Sequence, residues 1–247
     1  MPLEPLLVVC LSTLLFPAVS GVTQKAPAPA STVIVTTSAG PMLAVARLIT
    51  EETWNPILDR RVQQSPAAAG IGAAWAPADP RWQKARSALG ARMTRIFDAY
   101  ARSNELTNHI QTALGRLSAG ADLPATVAAL TGPAGPALIR HQASTTYIVT
   151  VITANPNGPK IGGPESNAQI AELTKRFNER IGATLPPDDG SHVKELEAII
   201  TGPVREVLRQ LWDFAIANST RQLNTALNLM MLDDQAAIER DIANAVK

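Results

Sequence analysis

Ala128-Ala129-Leu130-Thr131-Gly132-Pro133-Ala134-Gly135-Pro136-Ala137-Leu138 is the stretch whose reading decides the fold. A shorter form returns 70 positions later as Ala198-Ile199-Ile200-Thr201-Gly202-Pro203-Val204. Each reads as an apolar helix end, a Thr-Gly-Pro hinge and a second helix opening at the proline. Glycine is expected to supply the left-handed backbone that ends a helix cheaply. Proline lacks an N–H that the first helical position does not use. The device makes a helical corner and carries no chemistry.

Outward from the corner, the flanking segments read as helices. Asp79-Pro80-Arg81-Trp82 is a capping acid followed by proline, the clearest helix start in the chain. Trp82, Leu89, Met93, Ile96, Phe97 and Tyr100 then recur on one helical face. Ser103 is expected to cap a second helix carrying Leu106, Ile110, Ala113, Leu114 and Leu117, and Asp122 a short third one. Tyr147 to Thr153 holds seven β-branched or aromatic residues in a row, a strand-like composition. No second segment of that kind exists to pair with it, and a lone strand leaves its backbone groups unsatisfied, so a buried helix is the better reading.

Beyond Asn155–Pro159 and Gly162-Gly163-Pro164, which form the main internal loop, further helices are expected near 165–182, 191–200, 203–217 and 220–246. The last should break at Asp233-Asp234, a candidate cap. The fold class is therefore all-α: a multi-helix bundle with Gly-Pro corners behind a disordered N-terminal linker. The helical domain is placed at 41–247, with a division into subdomains 79–154 and 165–247 as one arrangement.

Composition agrees. The 247 residues are 46% hydrophobic and 17% charged, which argues against wholesale disorder, and only 4% aromatic, which favours close helix-on-helix packing. Residues 1–20 look like an export signal. An apolar run from Leu6 to Phe16 precedes Pro17 and the small-x-small pattern Ala18-Val19-Ser20, with cleavage near Ser20. Glu4 stands where a basic residue is usual; the competing reading is a buried N-terminal helix. Removing the leader would remove Cys10, the one cysteine, and raise the net charge from +1 to +2. Lipid anchoring at Cys10 is disfavoured by the bulky Val8-Val9. Residues 21–40, rich in Ala, Pro, Ser and Thr, read as a flexible linker. Pro41 is expected to open a helix that Pro56 kinks or restarts, and 65–77 a further loop.

The order of features from Asp79 to Leu138 resembles a family of uncharacterised exported helical proteins of Gram-negative bacteria. In that family a helix ends in a Ser-Pro-x-Gly corner at the place held here by Thr131-Gly132-Pro133-Ala134-Gly135. The extra Gly132 and Pro136 depart from its pattern. The resemblance implies export and an all-α fold, and brings no activity with it.

Catalytic motifs are missing from the chain. His109, His141 and His192 are isolated, without the spacing of a zinc site. Nucleophile elbows and dinucleotide fingerprints are absent. Gly158-Pro159-Lys160-Ile161-Gly162-Gly163 places a lysine among glycines, but proline interrupts the donors a phosphate cradle needs. Asp188-Asp189 and Asp233-Asp234 read as helix caps rather than cation sites. No cofactor and no metal are expected.

One surface feature stands out. Arg81, Lys84, Arg92, Arg95 and Arg102 fall within about 80° on a helical wheel. They are either a solvated face or a stripe for an anionic envelope component or an acidic protein partner. Aromatic residues do not alternate with the bases, so nucleic acid is not expected. No membrane span is expected once the signal is removed, and Leu229, Met230 and Met231 favour self-association if exposed. The expected function is a non-catalytic periplasmic or secreted binding protein; the competing class is an envelope hydrolase whose site forms only in three dimensions.

Overall fold

The computed structural model describes residues 29–117, 120–154 and 164–247. The export signal, residues 21–28 of the expected linker, and the Asn155–Gly163 loop with its lysine-glycine run lie outside the described residues. Among the described residues every regular element is helical: α1 (Pro29–Gln63), α2 (Pro80–Arg102), α3 (Glu105–Arg116), α4 (Leu123–Thr131), α5 (Gly135–Ala154), α6 (Pro164–Ile181), α7 (Val193–Ile200), α8 (Pro203–Asp233) and α9 (Gln235–Val246). Three single 3-10 turns join them.

The two longest helices organise the rest. α1 packs on α2, α3, α4, α5, α6 and α8, while α8 packs on α1, α2, α3, α4, α5, α7 and α9. One hydrophobic cluster runs from Ile34 to Ala245 and takes in residues of both the 79–154 and the 164–247 helices. Trp54 Nε1 donates to Asn224 Oδ1 at 2.8 Å and ties α1 directly to α8.

α1 corrects the linker reading over residues 29–40. Val33-Ile34-Val35 is helical, and Ile34 and Ser38 are fully buried. Pro41 and Pro56 lie inside the helix rather than at its start or at a restart. Each removes one backbone hydrogen bond, at a cost of about 3 kcal/mol. Against that, Ile34, Met42, Val45, Leu48, Ile49, Trp54, Leu58 and Val62 are all buried. At roughly 1.5–3 kcal/mol for each large apolar side chain, tertiary packing outweighs both prolines. By length and composition, 30–63 is also apolar enough to cross a membrane, with a mean hydropathy of 1.5 over its best window; in this fold 39% of that window is buried among the other helices.

α8 is likewise longer than expected. The run Asn218-Ser219-Thr220 looks like a helix break, yet α8 passes through it unbroken. Asn218 Nδ2 donates to Phe214 O at 2.8 Å and Ser219 Oγ to Ala215 O at 2.7 Å. Both side chains thus bond back to the preceding turn instead of capping a new helix. Ser219 Oγ also accepts from the buried Tyr100 hydroxyl at 2.7 Å, which links α8 to α2.

The capping expectations divide. Asp79 accepts from Arg81 N and Asp122 from Ala125 N, both at 2.8 Å, as read from the sequence. Ser103 Oγ accepts from Glu105 N at 3.3 Å, although Asn104 occupies the cap position of α3. Asp188 and Asp189 do not cap α7; they accept from Gly190 N and Ser191 N in the turns before it. The 147–153 segment is helical, inside α5, as the missing partner strand required.

Both corners are where the sequence places them, but for a different reason. Gly132 (φ −73°) and Gly202 (φ −95°) are extended, not left-handed. Glycine is needed there because the backbone of the finished helix lies so close. A Cβ on Gly132 would stand 2.8 Å from Ala128 O, and one on Gly202 3.2 Å from Ala198 O. The tightest point is Gly135, where a Cβ would be 2.2 Å from Leu130 O. α5 opens there, two residues after Pro133, whereas α8 opens at Pro203 itself.

Candidate binding clefts

The basic stripe on α2 separates into two groups. Arg81 turns back on its own cap, with NH2 2.7 Å from Asp79 Oδ2; these hydrogen bonds hold the Asp79 carboxyl below the usual carboxylate range. Lys84 Nζ donates to Asn244 O at 3.3 Å, near the C-terminal end of α9, where a cation suits the helix dipole. Arg92 is committed more deeply. Its NH2 lies 2.7 Å from Asp241 Oδ2 and its NH1 2.9 Å from Asp234 Oδ2, with only 14% of its side chain exposed. Asp234 does hold the cap position of α9, but its carboxylate serves Arg92 rather than a backbone N–H. Three of the five bases are thus structural.

Arg95 and Arg102 are exposed and pair with no described carboxylate. Arg95 stands beside a cleft of about 350 Å³ between α2 and the C-terminal part of α8, lined also by Ile96, Ala99, Ala226, Leu229 and Met230 and, at its charged end, by Arg92, Asp233 and Asp234. Leu229 is 52% exposed, and Leu232, three residues further along α8, is 73% exposed. Of the three residues expected to favour self-association, Leu229 is open, Met230 is buried and Met231 is half-buried. The fold therefore brings one free cation of α2, Arg95, into the same cleft as the exposed Leu229.

A second cleft, of about 390 Å³, lies between α1 and α6. Its floor is Leu43, Ala44, Leu48 and Ile181, with Gly40 on its wall. At its polar side Arg47 Nε lies 2.9 Å from Glu51 Oε1, and Arg180 NH2 contacts Glu51 Oε2. The Arg47 guanidinium also sits 5.0 Å from the centroid of the Phe97 ring. The neighbouring Glu52 accepts from Arg176 NH1 at 2.8 Å and faces the Tyr147 hydroxyl at 3.5 Å. None of these residues was read from the sequence as part of a site. Arg47 and Glu51 show an i,i+4 pairing, but Arg180 is far along the chain and meets them only because α6 lies on α1.

Burial of Tyr147, then the charge of Glu52, pushes its hydroxyl up to about 12. Burial also raises Tyr100, partly opposed by its bond to Ser219. These are the only two tyrosines. Raised folded values mean that the native state keeps its phenol protons after an unfolded chain has lost them. Stability should therefore be intact below pH 10 and fall as the pH rises from about 10 towards 12. Ultraviolet titration checks this: at pH 10.5 the native protein should show clearly less tyrosinate than the chain in denaturant, which titrates near 10. A native midpoint near 10 would contradict the burial of both rings.

The histidines lie apart. His109 Nε2 is 3.1 Å from Gln222 Oε1, and His192 Nδ1 is 3.3 Å from Glu195 Oε2. On α5, desolvation and then the charge of Arg205 hold His141 below the usual histidine range. Among the described residues no group of three His, Cys, Asp or Glu is placed to hold a metal ion. No protein-family model matches the chain, and neither a curated protein nor a solved structure matches it.

Proposed function

We propose that this chain is an exported, non-catalytic binding protein whose contact surface is the cleft between α2 and α8, turned towards an anionic membrane surface. The observation that carries the reading is one juxtaposition: the unpaired Arg95 lines the same cleft as the exposed Leu229, with the exposed Arg102 two turns further along α2 and Leu232 one turn further along α8. Basic side chains beside exposed apolar ones are the pattern by which a helical face settles into a headgroup layer. Export rests on the leader ending near Ser20 and on the resemblance of 79–138 to exported helical proteins. Neither cleft is lined by a histidine, and of the two carboxylates in the α2–α8 cleft Asp234 is held by Arg92, which favours binding over hydrolysis.

Co-sedimentation with phosphatidylglycerol vesicles tests the reading. Each basic residue near an anionic surface contributes about 1 kcal/mol, so Arg95→Glu with Arg102→Glu should weaken binding at least tenfold. Raised salt should weaken it as well, because the charges act across solvent. Arg92 must be left intact, since it holds α9. Absent binding, or binding indifferent to salt and to the double substitution, would reduce the two arginines to a solvated face.

A further inference from the structure

We propose a second, independent ligand site: the cleft between α1 and α6 takes a small amphiphile with a carboxylate head and an apolar tail. The site has the two components such a ligand needs. Leu43, Ala44, Leu48 and Ile181 supply an apolar floor, and the guanidinium groups of Arg47 and Arg180 flank its polar side. A volume of about 390 Å³ falls within the ~300–1,000 Å³ of small-molecule pockets.

The charge balance selects the head group. Arg47 and Arg180 share one carboxylate, Glu51, whose side chain is only 13% exposed. Two cations and one anion leave a single positive charge at the cleft, and a monoanion neutralises it. Outside the cleft lining, Arg176 pairs with Glu52 at 2.8 Å and with the exposed Glu172 at 3.7 Å. Each guanidinium carries five N–H groups, and the contact with Glu51 leaves most of them free. The Arg47 and Arg180 side chains remain 43% and 49% exposed, so those donors are within reach of a ligand. Glu51 and the Phe97 ring hold Arg47 in place, which lowers the ordering cost of capturing a carboxylate. Both guanidiniums can offer paired donors to a planar carboxylate.

Gly40 permits a test that spares the fold. It is exposed on α1, and a Cβ added there meets nothing within 4 Å. Gly40→Leu should therefore fold normally while its side chain occupies the cleft. Calorimetric titration of the full chain with dodecanoate, below its micelle-forming concentration, should show one site per chain. Dodecanol should bind at least tenfold more weakly, as should dodecanoate to Arg180→Met, and Gly40→Leu should lose binding. Arg95→Glu with Arg102→Glu should bind dodecanoate as the parent does, which separates this site from the α2–α8 surface. No binding by the parent, equal binding of dodecanol, unchanged binding by Gly40→Leu or Arg180→Met, or loss in the Arg95/Arg102 variant would each overturn the assignment.

Discussion

Gly135→Ala should lower stability by about 3 kcal/mol or more, a large effect for a single methyl group. The added Cβ would sit 2.2 Å from Leu130 O and 2.8 Å from Leu130 C. Those are backbone atoms at the end of α4, which no side-chain rotation can move aside. Either α4 must unwind by part of a turn or α5 must lift away from it. Overpacking against side chains commonly costs 1–3 kcal/mol, and backbone gives less readily. The other corner glycines should follow in order of approach: Gly132→Ala, at 2.8 Å from Ala128 O, should cost less, and Gly202→Ala, at 3.2 Å from Ala198 O, least. Gly40→Ala is the control, since helix propensity should stabilise it by about 0.5–1 kcal/mol. Urea denaturation midpoints give the series. Equal effects at Gly135 and Gly40 would mean that α4 and α5 do not meet as described.

The second large effect is expected at Ile34. This residue is fully buried in α1, in the stretch whose composition reads as a linker. Ile34→Asp would remove an apolar side chain worth roughly 1.5–3 kcal/mol and leave an unpaired carboxylate, which costs about 3–5 kcal/mol in a core. The sum approaches the whole stability of an ordinary domain, about 5–15 kcal/mol, so the variant should be unfolded or nearly so at neutral pH. Thr36→Asp, two residues on and exposed, should leave the denaturation midpoint unchanged within about 0.5 kcal/mol. Circular dichroism on the two variants separates the readings, because a linker would tolerate both substitutions equally.

The contrast between α1 and α2 shows what the sequence could and could not reveal. α2 has one buried face, so Trp82, Leu89, Met93, Phe97 and Tyr100 repeat with helical spacing behind a capped start. α1 touches six other helices, and its apolar residues are spread around most of its circumference, exposed side included. Its buried residues do recur at helical spacing, but apolar residues such as Ile57 on the exposed side remove the polar contrast that would show a 3.6-residue pattern in the sequence. With Thr, Val and Ile along its first half and two internal prolines, it resembles extended chain until its neighbours are known. α8 misled in the opposite way, since Asn218 and Ser219 are capping residue types that here turn inward. The corners were legible as corners because Gly-Pro punctuates helices. Their steric cause was not, because the distance between a glycine and the preceding turn is a property of the folded backbone.

The candidate site follows the same logic. Spacing alone put five bases on one face of α2. It could not show that Asp234 and Asp241, about 140 residues later, would claim Arg92 and leave Arg95 and Arg102 as the free pair. Nor could it show Arg47 and Arg180 meeting across Glu51. Charge pairing between distant segments is set by how helices pack, and only the local i,i+4 pairs are written in the spacing.

Amide hydrogen exchange of the full chain, with and without phosphatidylglycerol vesicles, tests the functional reading most directly. The α2–α8 surface predicts added protection over the C-terminal half of α2, around 95–102, and over 225–233 of α8, with α5 and α7 unchanged. Protection confined to other helices, or no change under conditions where the chain sediments with the vesicles, would contradict it.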